Sequence, residues 1–234
     1  MKPAPVDDAL SFLSCLQLAD SFFPSGLYTL SHGLETAVQF GQVDATSLGS
    51  LLAAYLRAGF GSTDGIALAC AHRASEEDHL PLALLADKRL TAVKLPREAR
   101  ETSWRVGRQL LNIGRWIFGK QILHEYTQHV ENGDTPGNHA IVLGLTMATL
   151  GISREKAVLS ELYAFSTSLV AAGVRLNVVD YRVAQEILHH HRSVMVEVAH
   201  ANCTKEVQDI ASSVPWIDVM TMCHEQAQVR LFMS

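Results

Sequence analysis

Histidine and cysteine carry the most versatile side-chain chemistry, and this 234-residue chain holds eleven of the first and four of the second. Spacing decides whether they can act together. His124-Glu125-Tyr126-Thr127-Gln128 and His224-Glu225-Gln226-Ala227-Gln228 each begin like a helical zinc-protease motif. That motif needs a second His four residues on, so that both ligands share one face. Gln stands at both places, and the zinc reading fails. In His189-His190-His191, successive helical side chains point about 100° apart, so the three cannot share one ion. In an extended tail they can hold a transition metal weakly; at a helix end they suit the dipole, and a solvated helix end is the expectation. His72, His79, His129, His139 and His200 lack ligand-like spacing. Cys15, Cys70, Cys203 and Cys223 lie far apart without a C-x-x-C pair. That excludes a disulfide framework or a zinc knuckle and leaves them as small hydrophobes. No phosphate-binding G-x-x-x-x-G-K-[ST], no G-x-G-x-x-G and no G-x-S-x-G elbow occurs. The residues point to no metal site and no cofactor.

The elements that would position any site read as helices. Val158, Leu162, Phe165, Leu169, Ala172 and Leu176 follow at steps of four and three, an apolar stripe on a helix over 153–176 with Ser153 at its N-cap. Val106, Leu110, Ile113 and Ile117 make a second stripe over 101–119, on a segment that Pro96 can open. These two are expected to be central. Asp44 or Thr46 caps a third helix, LGSLLAAYLRAGF, and Val179, Val183 and Ile187 mark another. Further helices are expected at 8–19, 32–40, 63–77, 78–90, 120–131, 138–150, 204–211 and 217–229. Strand alternation is scarce and residues 131–138 form the clearest loop. Small residues such as Gly59, Gly61, Gly114, Gly119, Gly144, Ala171, Ala172 and Gly173 let helices approach closely. The expectation is a single all-α domain over 1–234, about ten helices in an irregular bundle.

Composition fits: 48% hydrophobic, 18% charged, net charge −5. This is globular and mildly acidic, with no basic excess for nucleic acid. The opening MKPAPVDDALSF lacks the pattern of a signal peptide, and no uninterrupted apolar run approaches a membrane span. A cytoplasmic protein without membrane or nucleic-acid partners is expected.

Two segments stand out. Leu16 to Glu35 runs a helix into Asp20-Ser21, breaks it at Pro24 and Gly26, and offers Ser31 as the cap of the next helix. It reads either as a shaped, rigid loop or as a helix corner packed by Phe22 and Phe23. The carboxyl end, Pro215 to Ser234, keeps apolar groups almost to the last residue, where chain ends are usually polar and frayed. Either it folds back into its own core, or it anchors another protein.

Together these segments resemble the F-type urease accessory protein (UreF) family. Leu18-Ala19-Asp20-Ser21, Phe23-Pro24-Ser25-Gly26-Leu27-Tyr28 and Ser31-His32-Gly33-Leu34-Glu35 are similar to its amino-terminal pattern. Asp218, His224-Glu225 and Arg230-Leu231-Phe232-Met233-Ser234 are similar to its carboxyl-terminal one. Tyr163, Ser168 and Ala172-Gly173-Val174-Arg175-Leu176 fit between them. Leu27 and Leu30 depart from residues that family members carry there. The resemblance implies a helical, non-enzymatic homodimer that binds the D/H-type accessory protein and recruits the nickel-carrying G-type GTPase. The assembly docks on apo-urease to deliver nickel. On that resemblance, His224, Glu225, Arg230, Leu231 and Phe232 contact the D/H-type partner, Arg175 engages the GTPase, and Tyr163 lies on the dimer helix. Asp20, Ser21, Pro24, Gly26, Tyr28, Ser31, Gly33 and Glu35 form the family loop. Segments 1–36 and 215–234 are expected to order on partner binding. The alternative is a regulator of the GTPase, with Arg175 or Arg230 as an arginine finger.

Overall fold

The computed structural model describes residues 5–20, 23, 30–227 and 230–232, with side chains from residue 8 onward. Among these residues there is no strand. Twelve α-helices follow one another: α1 (Pro5–Ala19), α2 (Leu34–Gln39), α3 (Leu48–Ala58), α4 (Ile66–Glu76), α5 (Leu80–Val93), α6 (Arg97–Phe118), α7 (Gln121–Glu131), α8 (His139–Thr149), α9 (Arg154–Arg175), α10 (Tyr181–His190), α11 (Arg192–Asn202) and α12 (Pro215–Glu225). The fold is all-α, as the periodicity predicts.

α9 is central, as expected, burying eleven residues and packing against α1, α2, α3, α4, α8, α10 and α11, and the centre also holds a pair that no stripe reveals. Residues 139–147 of α8 are all buried, and α4 is buried at eight of its eleven positions. A helix apolar all round has no stripe to detect, yet belongs in the middle of a bundle. Gly144 makes the α4–α8 contact possible: a Cβ there would lie 2.5 Å from the carbonyl oxygen of Leu68. The stripes on α6 and α9 pack around this pair. Phe165 of α9 stacks on Phe60 with ring centroids 4.1 Å apart. α9 is, among the described residues, the helix long and apolar enough to cross a membrane, but 61% of its most apolar window is buried inside the fold.

Other boundaries shift for local reasons. The helix expected at 63–77 is a π-helical turn over Gly61–Gly65 followed by α4. The helix expected at 204–211 is a single 3-10 turn over Val207–Asp209, held by a reciprocal Glu206–Asp209 capping box. The carboxyl-terminal helix ends at Glu225 rather than 229. Val183 is exposed, and α10 turns Ala184 and Leu188 inward instead. Asp180 caps that helix through Arg182 N and Val183 N. Ser47 holds the N-cap position of α3, while Asp44 binds the turn before it through Thr46 N and Ser47 N. Gly33 rather than Ser31 is the N-cap of α2, with no side-chain cap bond. Gly119 is the left-handed stop of α6, at φ 54°, rather than a helix contact.

The loop before α8 is held by one acid. Asp87 of α5 is fully buried, and its carboxylate accepts from Tyr126 Oη (2.7 Å), Thr135 Oγ1 (2.6 Å), Gly137 N (3.0 Å), Asn138 N (3.1 Å) and Asn138 Nδ2 (2.6 Å). This explains why Asn138, at the N-cap of α8, makes no cap bond of its own. Asp87→Ala would strand five buried donors and should cost about 3–5 kcal/mol, lowering the thermal midpoint by on the order of 10 °C. Glu197→Ala, which removes an exposed pair with Arg57, should leave the midpoint nearly unchanged in the same calorimetric series.

Candidate functional site

The two distinctive segments meet. Gly33 opens α2 at φ 80°, and a Cβ on it would lie 2.7 Å from Thr221 Oγ1 of α12. Only glycine meets both the positive φ and the close approach. α12 therefore lies directly on α2, with Glu35 facing it. Glu35 is buried, and its carboxylate is fully engaged. Oε2 sits 3.0 Å from His224 Nε2, and the backbone amides of Leu231 and Phe232 donate to the two oxygens at 2.8 and 3.2 Å.

His224 is itself fully buried, with Nδ1 3.0 Å from Glu98 Oε2 of α6. Each ring nitrogen thus faces a carboxylate oxygen. Arg230 donates to Glu98 Oε1 and to the carbonyl of Glu225. Glu35, His224, Glu98 and Arg230 thus close one hydrogen-bonded network, the condition under which buried polar groups are tolerated. Glu225 works at its margin: its Oε1 accepts from the amide of Glu98, satisfying an orphan donor in the first turn of α6. The last residues then turn across the end of α9. Phe232 is buried, with the Arg175 guanidinium 4.4 Å from its ring centroid, a cation–π contact.

The sequence left two fates open for the carboxyl end, and here it folds back on its own subunit. His224 and Phe232 are interior. Leu231 projects outward at 74% exposure, and Arg230 is partly exposed. Within residues 215–234, expected to order on a partner, Ile217, Met220, Thr221, His224 and Phe232 are buried against this chain's own helices. Of the family-loop residues, Ser31, Gly33 and Glu35 are buried, and Asp20 is exposed beyond the end of α1. Ser21, Pro24, Gly26 and Tyr28 lie outside the described residues. Tyr163 stands apart on the outer face of α9, half exposed, near Leu18 and Asp20.

Behind the latch lies a cavity of about 150 Å³. Its polar lining includes the Asp64–Lys94 pair (2.8 Å) and the His139–Glu161 pair (3.2 Å). His32 enters it from a left-handed backbone at φ 53°, where Tyr55 Oη donates to its carbonyl. Desolvation, with Lys94 nearby, holds the His32 imidazole down at about 4. Burial pushes the Asp218 carboxyl up. His32 Nε2 lies 3.3 Å from Ser168 Oγ, within hydrogen-bond distance. Among the described residues no three His, Cys, Asp or Glu side chains converge to hold a metal ion. Sequence reasoning missed Glu98, Asp64 and Lys94. Their nearest signal was weak: Glu98 is an acid in the first turn of a helix.

Two measurements follow from this geometry. Glu35→Ala should unfasten the tail, costing about 3–5 kcal/mol and speeding tryptic cleavage after Arg230, read by mass spectrometry. For His32, the folded value near 4 lies below the ordinary 6.5. The unfolded chain therefore takes up a proton first as pH falls, and stability is lost between about 6.5 and 4. His32→Asn, which tolerates the backbone, should remove that part of the decline, up to ~3 kcal/mol in urea titrations across the window.

Comparison with known proteins agrees with the motifs. The UreF family model matches residues 42–192. "Urease accessory protein UreF 2" of Brucella canis is 31% identical over 224 residues, 95% of this chain and 91% of its own length. "Urease accessory protein UreF 1" of Brucella melitensis is also 31% identical, over 95% of this chain and 92% of its own length. "Urease accessory protein UreF" of Yersinia pseudotuberculosis is 29% identical over 96% of this chain and 99% of its own length. A family match over more than half the chain, joined to near-complete alignment at this identity, places the protein: it belongs to the UreF family of urease accessory proteins.

Proposed function

We propose that this chain is a cytoplasmic adaptor in urease maturation. With the D/H-type accessory protein it recruits the nickel-carrying G-type GTPase to apo-urease, and it does so as a homodimer joined through the α9 face that carries Tyr163. Its contribution is to hold partners together, with the nucleotide chemistry left to the GTPase, since the sequence has no phosphate-binding loop of its own.

One observation carries the reading. Arg175, assigned to the GTPase, and the tail, assigned to the D/H-type partner, form a single surface. The guanidinium rests on Phe232, and exposed Leu231 is its neighbour in the chain. A partner that grips Leu231 acts on the residues that set the position of Arg175, so binding one protein shapes the site for the next. An apolar side chain beside a stacked arginine has the composition of an interface hot spot. His224 and Glu225 serve this surface from beneath, by fixing the latch, and Arg230 does so from its edge.

Leu231→Asp leaves every internal contact of the latch in place. It should abolish co-purification with the D/H-type protein while the melting curve stays that of the wild type. Retained binding would remove the tail from the interface. GTPase turnover measured with and without the chain, and with Arg175→Ala, then separates tethering from regulation. An adaptor binds without changing the rate, whereas an arginine finger would raise it by about 10³–10⁵ and lose that effect in the variant.

A further inference from the structure

The cavity behind the latch has walls that select what it holds. Tyr55, Phe60 and Phe165 form an aromatic side, with the Phe165 centroid 4.1 Å from that of Phe60 and 5.1 Å from that of Tyr55. Val93, Pro96, Val106 and Ile217 add apolar surface. Beside them stand three carboxylates, Asp64, Glu161 and Asp218, and one lysine, Lys94. Thr63 and Asp64 come from the π-helical turn over Gly61–Gly65, an element often found at functional sites. A space of about 150 Å³ takes a ligand of roughly six heavy atoms, the size of benzene.

The pairing of these charges is uneven. Lys94 Nζ donates to Asp64 Oδ2 at 2.8 Å, and Thr63 Oγ1 donates to the same oxygen at 3.1 Å. Among the described residues no donor reaches Asp64 Oδ1, although that side chain is only 5% exposed. Glu161 faces His139 at 3.2 Å. Asp218 belongs to the carboxyl-terminal motif yet takes no part in the latch, and among the described residues it accepts no hydrogen bond. Lys94 is the cation whose field it feels, and that lysine is already paired with Asp64. His32 adds no charge, because burial and then Lys94 keep its ring neutral above about pH 4. A buried acceptor without a donor is costly, and an excess of acid beside aromatic rings favours a positive ligand that carries N–H groups. A bare metal ion needs several ligands at once, and among the described residues no three His, Cys, Asp or Glu side chains converge to hold one. A planar guanidinium meets the demands that remain: its face packs on an aromatic ring, and its edge donates two N–H bonds to one carboxylate.

We infer that the cavity is a binding site for a small guanidinium-type cation, packed against the Tyr55, Phe60 and Phe165 side with its N–H groups on Asp218 and Asp64. α12 supplies Ile217, Asp218 and Thr221 to the wall, so a bound cation braces the helix that carries the tail. The site lies apart from the Leu231 surface assigned to partners, and it stands whether or not the chain is an adaptor.

The test uses the full-length chain, wild type and Asp218→Asn, titrated calorimetrically with methylguanidinium chloride at constant ionic strength. The wild type should show saturable binding. The variant should bind about tenfold more weakly and keep the wild-type melting curve, because it loses no hydrogen bond. Urea, the uncharged planar analogue, and tetramethylammonium, a cation without N–H groups, should each bind the wild type about tenfold more weakly than methylguanidinium does. Failure of methylguanidinium to saturate the wild type would overturn the inference and leave the cavity to water. Equal binding by urea would overturn the role of charge, and equal binding by tetramethylammonium the role of the N–H groups. Equal binding by Asp218→Asn would move the site out of this cavity. Displacement of methylguanidinium by an equivalent of nickel(II) would overturn the organic assignment in favour of a metal ion.

Discussion

A carboxylate removed from water must have its lone pairs met by donors, and Glu35 meets that demand with groups from the far end of the chain. His224 and the amides of Leu231 and Phe232 lie 189, 196 and 197 residues away in sequence. The rest of the site follows from this one requirement. Gly33 must be glycine so that α12 can come close enough. Glu98 and Arg230 complete the arrangement: Glu98 faces the second ring nitrogen of His224, and Arg230 donates to Glu98. Glu225 reaches the first turn of α6 because α12 has been brought there. The latch is thus a consequence of electrostatic matching rather than of apolar burial alone, and removing any one member leaves another buried and unmatched.

Much of the architecture was legible because its helices are striped. α6 and α9 bury the residues that their three-and-four spacing singles out, Val106 and Leu110 on one, Val158, Leu162, Phe165, Leu169 and Ala172 on the other. What escaped was set by tertiary context. α8 is short and apolar on every side, so no period reveals that it lies at the centre. Residues 204–211 have helical composition, but the Glu206–Asp209 box closes a single turn, and Ile210 leaves it in an extended conformation. Val183 fits the spacing of an inward stripe, yet the Asp180 cap fixes where the helix starts and so rotates that side chain outward.

The site divides in the same way. The motif residues Gly33, Glu35, His224, Glu225, Arg230 and Phe232 could be picked out as unusual from the chain, because a Pro-Gly break and an apolar terminus are local features. Their mutual contact could not be, because nothing local in Glu35 says that it pairs with His224. Glu98 and Asp87 had no chance of being read in advance. Each is one acid among 24 acidic residues, and only the fold turns it inward. α1 is similar: a helix was expected at 8–19, but only the fold shows that Ser11 packs inward, its hydroxyl donating to the carbonyls of Leu150 and Gly151, while Leu10, Phe12, Leu13 and Leu16 face outward.

The placement of the Glu35 partners also bears on how the molecule is made. Domains fold largely as units during synthesis, amino-terminal parts first. Glu35 leaves the ribosome early, but the amides that it requires belong to Leu231 and Phe232, 196 and 197 positions later. Until those residues emerge, that acid has water and its helix neighbour Gln39 for company, and α2 has no α12 to lean on. Emergence of His224, Leu231 and Phe232 is therefore the event that shuts the structure, and a chain cut before them would leave the Glu35 carboxylate without the donors that let it be buried.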